Sequence, residues 1–224
     1  MAERQPAFSQ RNEAVMSYGF LDIAATPSVR ATQAAMGSEH LWQNFKGHRE
    51  FDAFTSDEVD FITKRDSFYM GTVSQTGWPY IQHRGGAAGF LKVVDTKTLA
   101  FADYRGNRQY ISVGNLAADD RAALILVDYA AKARLKIYAH VEAVPLDADP
   151  TLTERVAVQG YKAKPERILL LHLVAFDWNC PQHITPRFTE REISEAMRPL
   201  HERVAALEAE NAALRATLAN SKGD

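Results

Sequence analysis

A single cysteine, Cys180, stands among 224 residues. It has no partner for an internal disulfide and fits a reducing compartment. As a lone thiol it reads first as a small buried hydrophobe, and only second as a nucleophile. No uninterrupted apolar stretch approaches the roughly 18 residues needed to cross a bilayer. The opening Met-Ala-Glu-Arg-Gln-Pro lacks the apolar stretch of a secretion signal. A cytoplasmic protein with no membrane partner is the resulting expectation. Neither sign of charge dominates: 26 basic residues against 28 acidic ones leave a formal net charge of -2. That balance gives no electrostatic case for nucleic acid as a partner. The seven histidines are dispersed, none in a metal-ligand spacing, so no metal site is expected. Also missing are a G-x-S-x-G elbow, a phosphate-binding P-loop, a G-x-G-x-x-G turn and any internal repeat.

What is present is enough apolar residue, 46%, for a packed core. Residues 1–54 show scattered aromatics (Tyr18, Phe20, Trp42, Phe45, Phe51) without a sustained period and read as short helices wrapping that core. Thr55-Ser56-Asp57-Glu58 is a capping box, in which Thr55 caps and Glu58 reaches back. The helix it starts runs to about Lys64 and buries Val59, Phe61 and Ile62. The period then changes to alternation. Ser67–Ser74 and Trp78–Arg84 form a hairpin around Gln75-Thr76-Gly77. Phe90–Asp95 and Leu99–Asp103 are joined tightly at Thr96-Lys97-Thr98. A short helix is expected over Asn107–Leu116, strands over Ala122–Asp128, Arg134–Val144 and Ile168–Asp177, and a helical stretch from Thr151. The fold class is mainly β (α+β): six or seven strands with short connections and peripheral helices suggest a closed or partly closed antiparallel barrel.

The tail, residues 191–224, differs in kind. Thr189-Glu190-Arg191-Glu192 is a second capping box, and Pro199 is expected to end that helix and start another. From there a heptad runs with Leu200, Leu207 and Leu214 at d and Val204, Asn211 and Leu218 at a. A parallel dimer zipper and a surface helix packed on its own domain are both compatible with it.

Two segments carry candidate chemistry. Gln82-His83-Arg84-Gly85-Gly86 ends a strand with donors, a fixed cation and two glycines, which let a flat ligand approach the backbone. Asp103-Tyr104-Arg105-Gly106-Asn107-Arg108-Gln109 runs from a strand into a helix. There Asn107 can cap, and outward N–H groups with Arg105 and Arg108 suit a phosphate. Each segment alone also reads as an ordinary strand end or capped helix start. Together they can hold a dianionic phosphate and line a planar ring.

Phe90-Leu91-Lys92-Val93-Val94-Asp95, followed by Leu99–Gln109, resembles the FMN-binding strand pair of pyridoxamine 5'-phosphate oxidases, whose pattern is approximately L-L-K-x-x-D, a hydrophobic strand, then G-S-R-K. Arg134–Val141 resembles that family's next long strand. The runs Trp78–Gly86 and Asp177-Trp178-Asn179-Cys180-Pro181-Gln182-His183-Ile184 are similar to an uncharacterised FMN-binding branch of the same superfamily. The resemblance implies a six- to seven-stranded antiparallel split β-barrel over residues 55–190, a homodimer with FMN at the subunit interface and an oxidoreductase passing hydride or electrons to or from a small molecule, with NAD(P)H as a candidate donor. A non-catalytic flavin carrier or sensor, a barrel holding haem, and a dimeric interaction protein are the rivals. By the same resemblance Asn107, Arg108 and Gln109 match the phosphate stretch. Gln82, His83 and Arg84 fall beside the flavin, and Trp178, Asn179 and Gln182 fall where a C-terminal segment closes over its ring from the partner chain. The family's phosphate lysine is Gln109 here, and the arginine expected five residues before Lys92 is Ala87. The tryptophan and R-x-H motif of true pyridoxamine-phosphate oxidases does not follow Arg187, which argues against vitamin B6 oxidation. No catalytic residue is assigned.

Overall fold

A computed structural model of the chain describes residues 19–42, 53–179 and 182–220. Tyr18, Phe45, Phe51, Cys180 and the side chain of Asn179 lie outside what it describes. In chain order the elements are α1 (Phe20–Ala24), α2 (Pro27–Ala35), α3 (Glu39–Trp42), α4 (Ser56–Thr63), β1 (Ser67–Val73), β2 (Pro79–Gly85), β3 (Lys92–Asp95), β4 (Thr98–Tyr104), α5 (Ile111–Ala118), β5 (Arg121–Asp128), β6 (Ala133–Val144), α6 (Pro150–Val156), β7 (Pro165–Asn179) and α7 (Glu190–Asn220). The chain divides into two units, one of residues 1–128 and 133–181, the other of residues 129–132 and 182–224.

In the first unit all seven strands join one antiparallel sheet in the order β2-β1-β5-β6-β7-β4-β3. The sheet does not close through hydrogen bonds, because β2 and β3 remain edges. Instead Arg84 on β2 reaches across to Asp103 on β4, 2.7 Å away. An open sheet curled until its ends are tied by side chains is a split barrel, as the family resemblance implies.

Strand alternation fills the interior. On β1, Phe68, Met70 and Thr72 are buried while Tyr69 and Val73 face out. The tight turn into β2 needs Gly77, whose φ of 85° lies in the left-handed region. Phe90, just ahead of β3, stacks on Phe68 at 5.6 Å and meets Phe101 edge-on at 6.1 Å. β4 is buried on both faces, Leu99 and Phe101 in the main core, Ala100 and Ala102 in a second cluster with Val156 of α6. Of the N-terminal helices, α1 places Phe20 flat on Tyr138 of β6 at 4.4 Å, with the Lys136 Nζ 4.5 Å from its ring centre.

The capping box at α4 forms as its sequence requires, and does more. The Thr55 N–H and hydroxyl both donate to Glu58 Oε2, and the indole Nε1 of Trp178 donates to Oε1 at 2.6 Å. Ile62 is fully buried, whereas Val59 and Phe61 are half-buried. Burial alone would raise the Glu58 pKa. The hydrogen bonds from Thr55 and Trp178 outweigh it, and the pKa lies below the usual 4.5. A lowered carboxylate pKa contributes stability that is complete above the unfolded value and is lost as pH falls through the folded one. Glu58→Gln should therefore cost about 1–2 kcal/mol at neutral pH. Its deficit relative to the parent should shrink below about pH 4.5. Urea melts at neutral and acid pH check this; a gap that does not change with pH contradicts it.

Two helix expectations differ from what forms. The short helix begins at Ile111, not Asn107. Asn107 Oδ1 instead accepts the Gln109 N–H at 3.1 Å, a local turn that competes with helix entry. In the second unit, Pro199 ends nothing: α7 runs unbroken over 31 residues. Its start is capped by Thr189, whose N–H and hydroxyl donate to Glu192. The roughly 3 kcal/mol cost of an interior proline is borne by a long helix rich in Ala, Leu, Glu and Arg on its C-terminal side.

Candidate functional site

The tied seam of the barrel opens into a cavity of about 220 Å³. Tyr80, Gln82 and Arg84 contribute from β2, Asp103 and Tyr104 from β4, Gly106–Tyr110 from the loop, Ile111–Val113 from the start of α5, and Glu166 from β7. The two segments singled out in the sequence thus meet in space. Gln82, Arg84, Asn107, Arg108 and Gln109 all line this one cavity. The Tyr80 hydroxyl donates to the Gln82 side-chain carbonyl.

Its electrostatics come from an alternating chain of charges. Asp103, only 6% exposed, accepts from Arg84 and lies 3.6 Å from Arg167 Nε. Arg167 lies 3.4 Å from Glu166, which accepts from Arg105 Nε at 2.7 Å and from the Tyr110 hydroxyl at 3.3 Å. The Arg105 hydrogen bond is the main reason the Glu166 pKa falls below its usual value, and Tyr110 adds to it. Arg108 makes no ion pair among the described residues. Arg84, Arg108, Asp103 and Glu166 line the cavity, and Arg105 and Arg167 pair with the same two carboxylates from outside it, so the cluster as a whole carries two net positive charges (4 − 2).

The backbone adds donors. Arg108 and Tyr110 both adopt left-handed conformations, with φ of 61° and 54°. Such non-glycine residues are uncommon and concentrate at functional sites. Tyr110 occupies the N-cap position of α5 without a capping side chain, so the first-turn N–H groups at Ile111, Ser112 and Val113 lack that partner. All three residues line the cavity. Ser112 is 4% exposed and its Oγ has no hydrogen-bond partner among the described residues. Uncapped helix start, orphaned hydroxyl and positive charge nearby are features that suit an anion. Neither Ser112 nor Glu166 stands out in the sequence. A Pro-Glu-Arg run before the apolar stretch of β7 was the one available sign of charge at the sheet's inner end.

The other sequence candidates lie elsewhere. His83 alternates to the outer face of β2, exposed, with its ring 5.5 Å from Tyr69. Trp178 is at the opposite end of β7 from Glu166, twelve positions away. At about 3.3 Å per residue that is up to roughly 40 Å of strand. It packs edge-on to Phe61 at 4.8 Å while bonding Glu58, and so supports α4 in its own chain. Asn179 pairs through its backbone with Arg134, and Gln182 belongs to the second unit. The glycines at 85–86 do not open the strand to a ligand: a Cβ on Gly86 would meet the Phe90 ring at 2.7 Å, and one on Gly85 would meet His83 at 2.9 Å. Close packing of the chain on itself explains both. Among the described residues no group of three or more His, Cys, Asp or Glu is placed to hold a metal ion, and no helix is long and apolar enough to cross a membrane.

A split barrel with a polar cavity at its seam defines a class of protein, and comparison with known families places the chain within it. The pyridoxamine 5'-phosphate oxidase model matches residues 54–175, more than half of the sequence. The chain belongs to that family. Among solved structures, HupZ of Group A Streptococcus is 15% identical with a TM-score of 0.46, covering 60% of this chain and 100% of its own. An FMN-binding protein of Syntrophomonas wolfei subsp. wolfei is 15% identical with a TM-score of 0.42, covering 68% and 95%. An FAD binding protein of Mycobacterium smegmatis is 12% identical with a TM-score of 0.39, covering 57% and 95%. These likenesses are of fold alone. No curated protein matches the chain.

Proposed function

We propose that this chain binds FMN and acts as a homodimeric oxidoreductase, exchanging hydride or electrons between a donor such as NAD(P)H and a small molecule. The observation that carries the reading is the cavity at the seam, in a member of this family, with uncapped N–H groups, the orphaned Ser112 hydroxyl and an ion-pair cluster that carries two surplus positive charges around it. A phosphate monoester carries about −1.5 to −2 charges at neutral pH. Arg108, Ser112 and the first turn of α5 would hold it, with Asn107 fixing the loop. The family's phosphate lysine is absent at Gln109, and the surplus guanidiniums supply the charge in its place.

The flavin ring, when bound, supplies the hydride and electron chemistry. Arg84 and Gln82 line the cavity from the edge strand β2, where they would orient the ring and offset negative charge on its reduced form. A cavity of about 220 Å³ is below the roughly 300–1,000 Å³ that encloses a drug-sized ligand. One chain therefore holds the anion end and leaves the ring to be covered from outside. The outer face of β1 and β2 offers a second copy an apolar contact: Ile81 is 70% exposed, with Tyr69 and Val73 alongside, and Trp78 in the turn before β2 is 76% exposed. His83 lies on that face. Trp178, Asn179 and Gln182 enter the proposal only as contributions from the second copy.

FMN should bind at least about 100-fold more tightly than riboflavin, because several charge-assisted hydrogen bonds go to the phosphate alone. Fluorescence titration with both flavins tests it. Equal affinities would remove the phosphate assignment. A flavin carrier or sensor without turnover is the second reading. Glu166 favours it: held ionised by Arg105, this acid offers no proton at neutral pH. Reduction of the bound flavin by NADH or NADPH separates the two.

A further inference from the structure

The continuity of α7 through Pro199 changes what its sequence can do. The seam that begins at Leu200 extends back through Met197 at a and Ile193 at d, so the 3-4 spacing holds without a break from Ile193 to Leu218. The span is almost four heptads, beyond the length at which a short helix is marginal alone. Pro199 falls at position c, away from the seam, and the outward positions 205, 206, 209, 212, 213 and 216 are all alanine. From Ile193 through Leu214 the large apolar seam side chains are between 38% and 58% exposed.

We infer that this face is the interface of a parallel, in-register, two-stranded coiled coil with a second copy of the same chain. Two features select that occupant. Asn211 is the one polar residue on the seam. In a parallel, in-register pair it faces its own copy, and the two amides satisfy each other. An antiparallel pair that aligns Val204 with Leu207 would instead set Asn211 against Leu200, leaving a buried amide without a partner. The flanking charges agree. Arg203 at g faces Glu208 at e of the second copy, Glu210 at g faces Arg215 at e, and the twofold repeats both pairs. Among the described residues none of these four makes an ion pair within the chain. A surface that complements itself at both its polar and its charged positions is built for its own copy.

The inference is independent of the flavin reading and is tested in the full-length chain. Asn211→Cys places a thiol at the seam, and Ala209→Cys places one two residues away, at the outward f position. Air oxidation at low micromolar concentration should link most of the seam variant into covalent dimers, identified by mass spectrometry of the linked peptide, and only a trace of the outward variant. Flavin content, read on the same samples, should be equal in the two. Failure to link the seam variant, or equal yields at the two positions, overturns the pairing whatever the flavin content proves to be.

Discussion

Asp103→Asn should lower the stability of the barrel by about 3 kcal/mol, the low end of the cost of removing one partner from a buried ion pair. Among the described residues Asp103 is the one acid between Arg84 and Arg167, and its side chain is 8% exposed against 17% and 23% for theirs. The neutral amide keeps the shape but leaves two sequestered guanidiniums without their shared counter-charge. The position matters as much as the burial. Arg84 stands on the edge strand β2 and Asp103 on β4, so their 2.7 Å contact ties together two strands that no backbone ladder joins. Anion binding should weaken in the same variant, because Arg84 loses the carboxylate that holds it at the cavity. Urea unfolding reads the first effect. The double variant Arg84→Met/Asp103→Leu should recover part of the loss, since replacing both charges by apolar groups removes the unpaired charge as well as the pair. A loss below about 1 kcal/mol, the range of exposed pairs, would mean that the seam is held by the core rather than by this tie.

Arg108→Ala should weaken FMN binding about 10- to 100-fold, the equivalent of one lost charge-assisted hydrogen bond to the phosphate. Arg108 sits at the cavity in a left-handed conformation and has no ion-pair partner among the described residues. Arg121 is the control. It is held by Asp119 through two hydrogen bonds, the Nε one at 2.8 Å, and does not line the cavity. Arg121→Ala should leave FMN affinity unchanged. Added salt should weaken FMN binding to the parent and have less effect on the Arg108 variant. Equal retention of FMN in the two alanine variants would remove Arg108 from the phosphate site.

The features legible in the sequence are those set by near neighbours. The capping boxes at Thr55 and Thr189 and the alternation of β1 depend on contacts a few residues apart, and all form as read. Asn107 shows where local reading divides. The same side chain can cap a helix or close a turn on Gln109, and the turn wins. Pro199 shows another limit, because a proline's penalty is local while the helix that absorbs it is 31 residues long. Glu58 and Trp178 are 120 positions apart, so nothing in the sequence announces that they bond. The cavity has the same character. Arg84, Arg105 and Arg108 attract attention as cations beside turns, whereas Glu166 and Ser112 read as an ordinary strand residue and an ordinary helix residue. Only the folded sheet brings Glu166 of β7 against the loop after β4.

The most direct measurement is the visible absorption spectrum of the purified full-length protein after incubation with FMN and removal of free ligand. The account predicts a retained flavin spectrum near one FMN per chain, lost when inorganic phosphate is added in large excess and absent when riboflavin replaces FMN. A colourless protein after the same treatment would contradict it, and would mean that the charge at Arg108 and its neighbours does not replace the family's missing lysine and arginine.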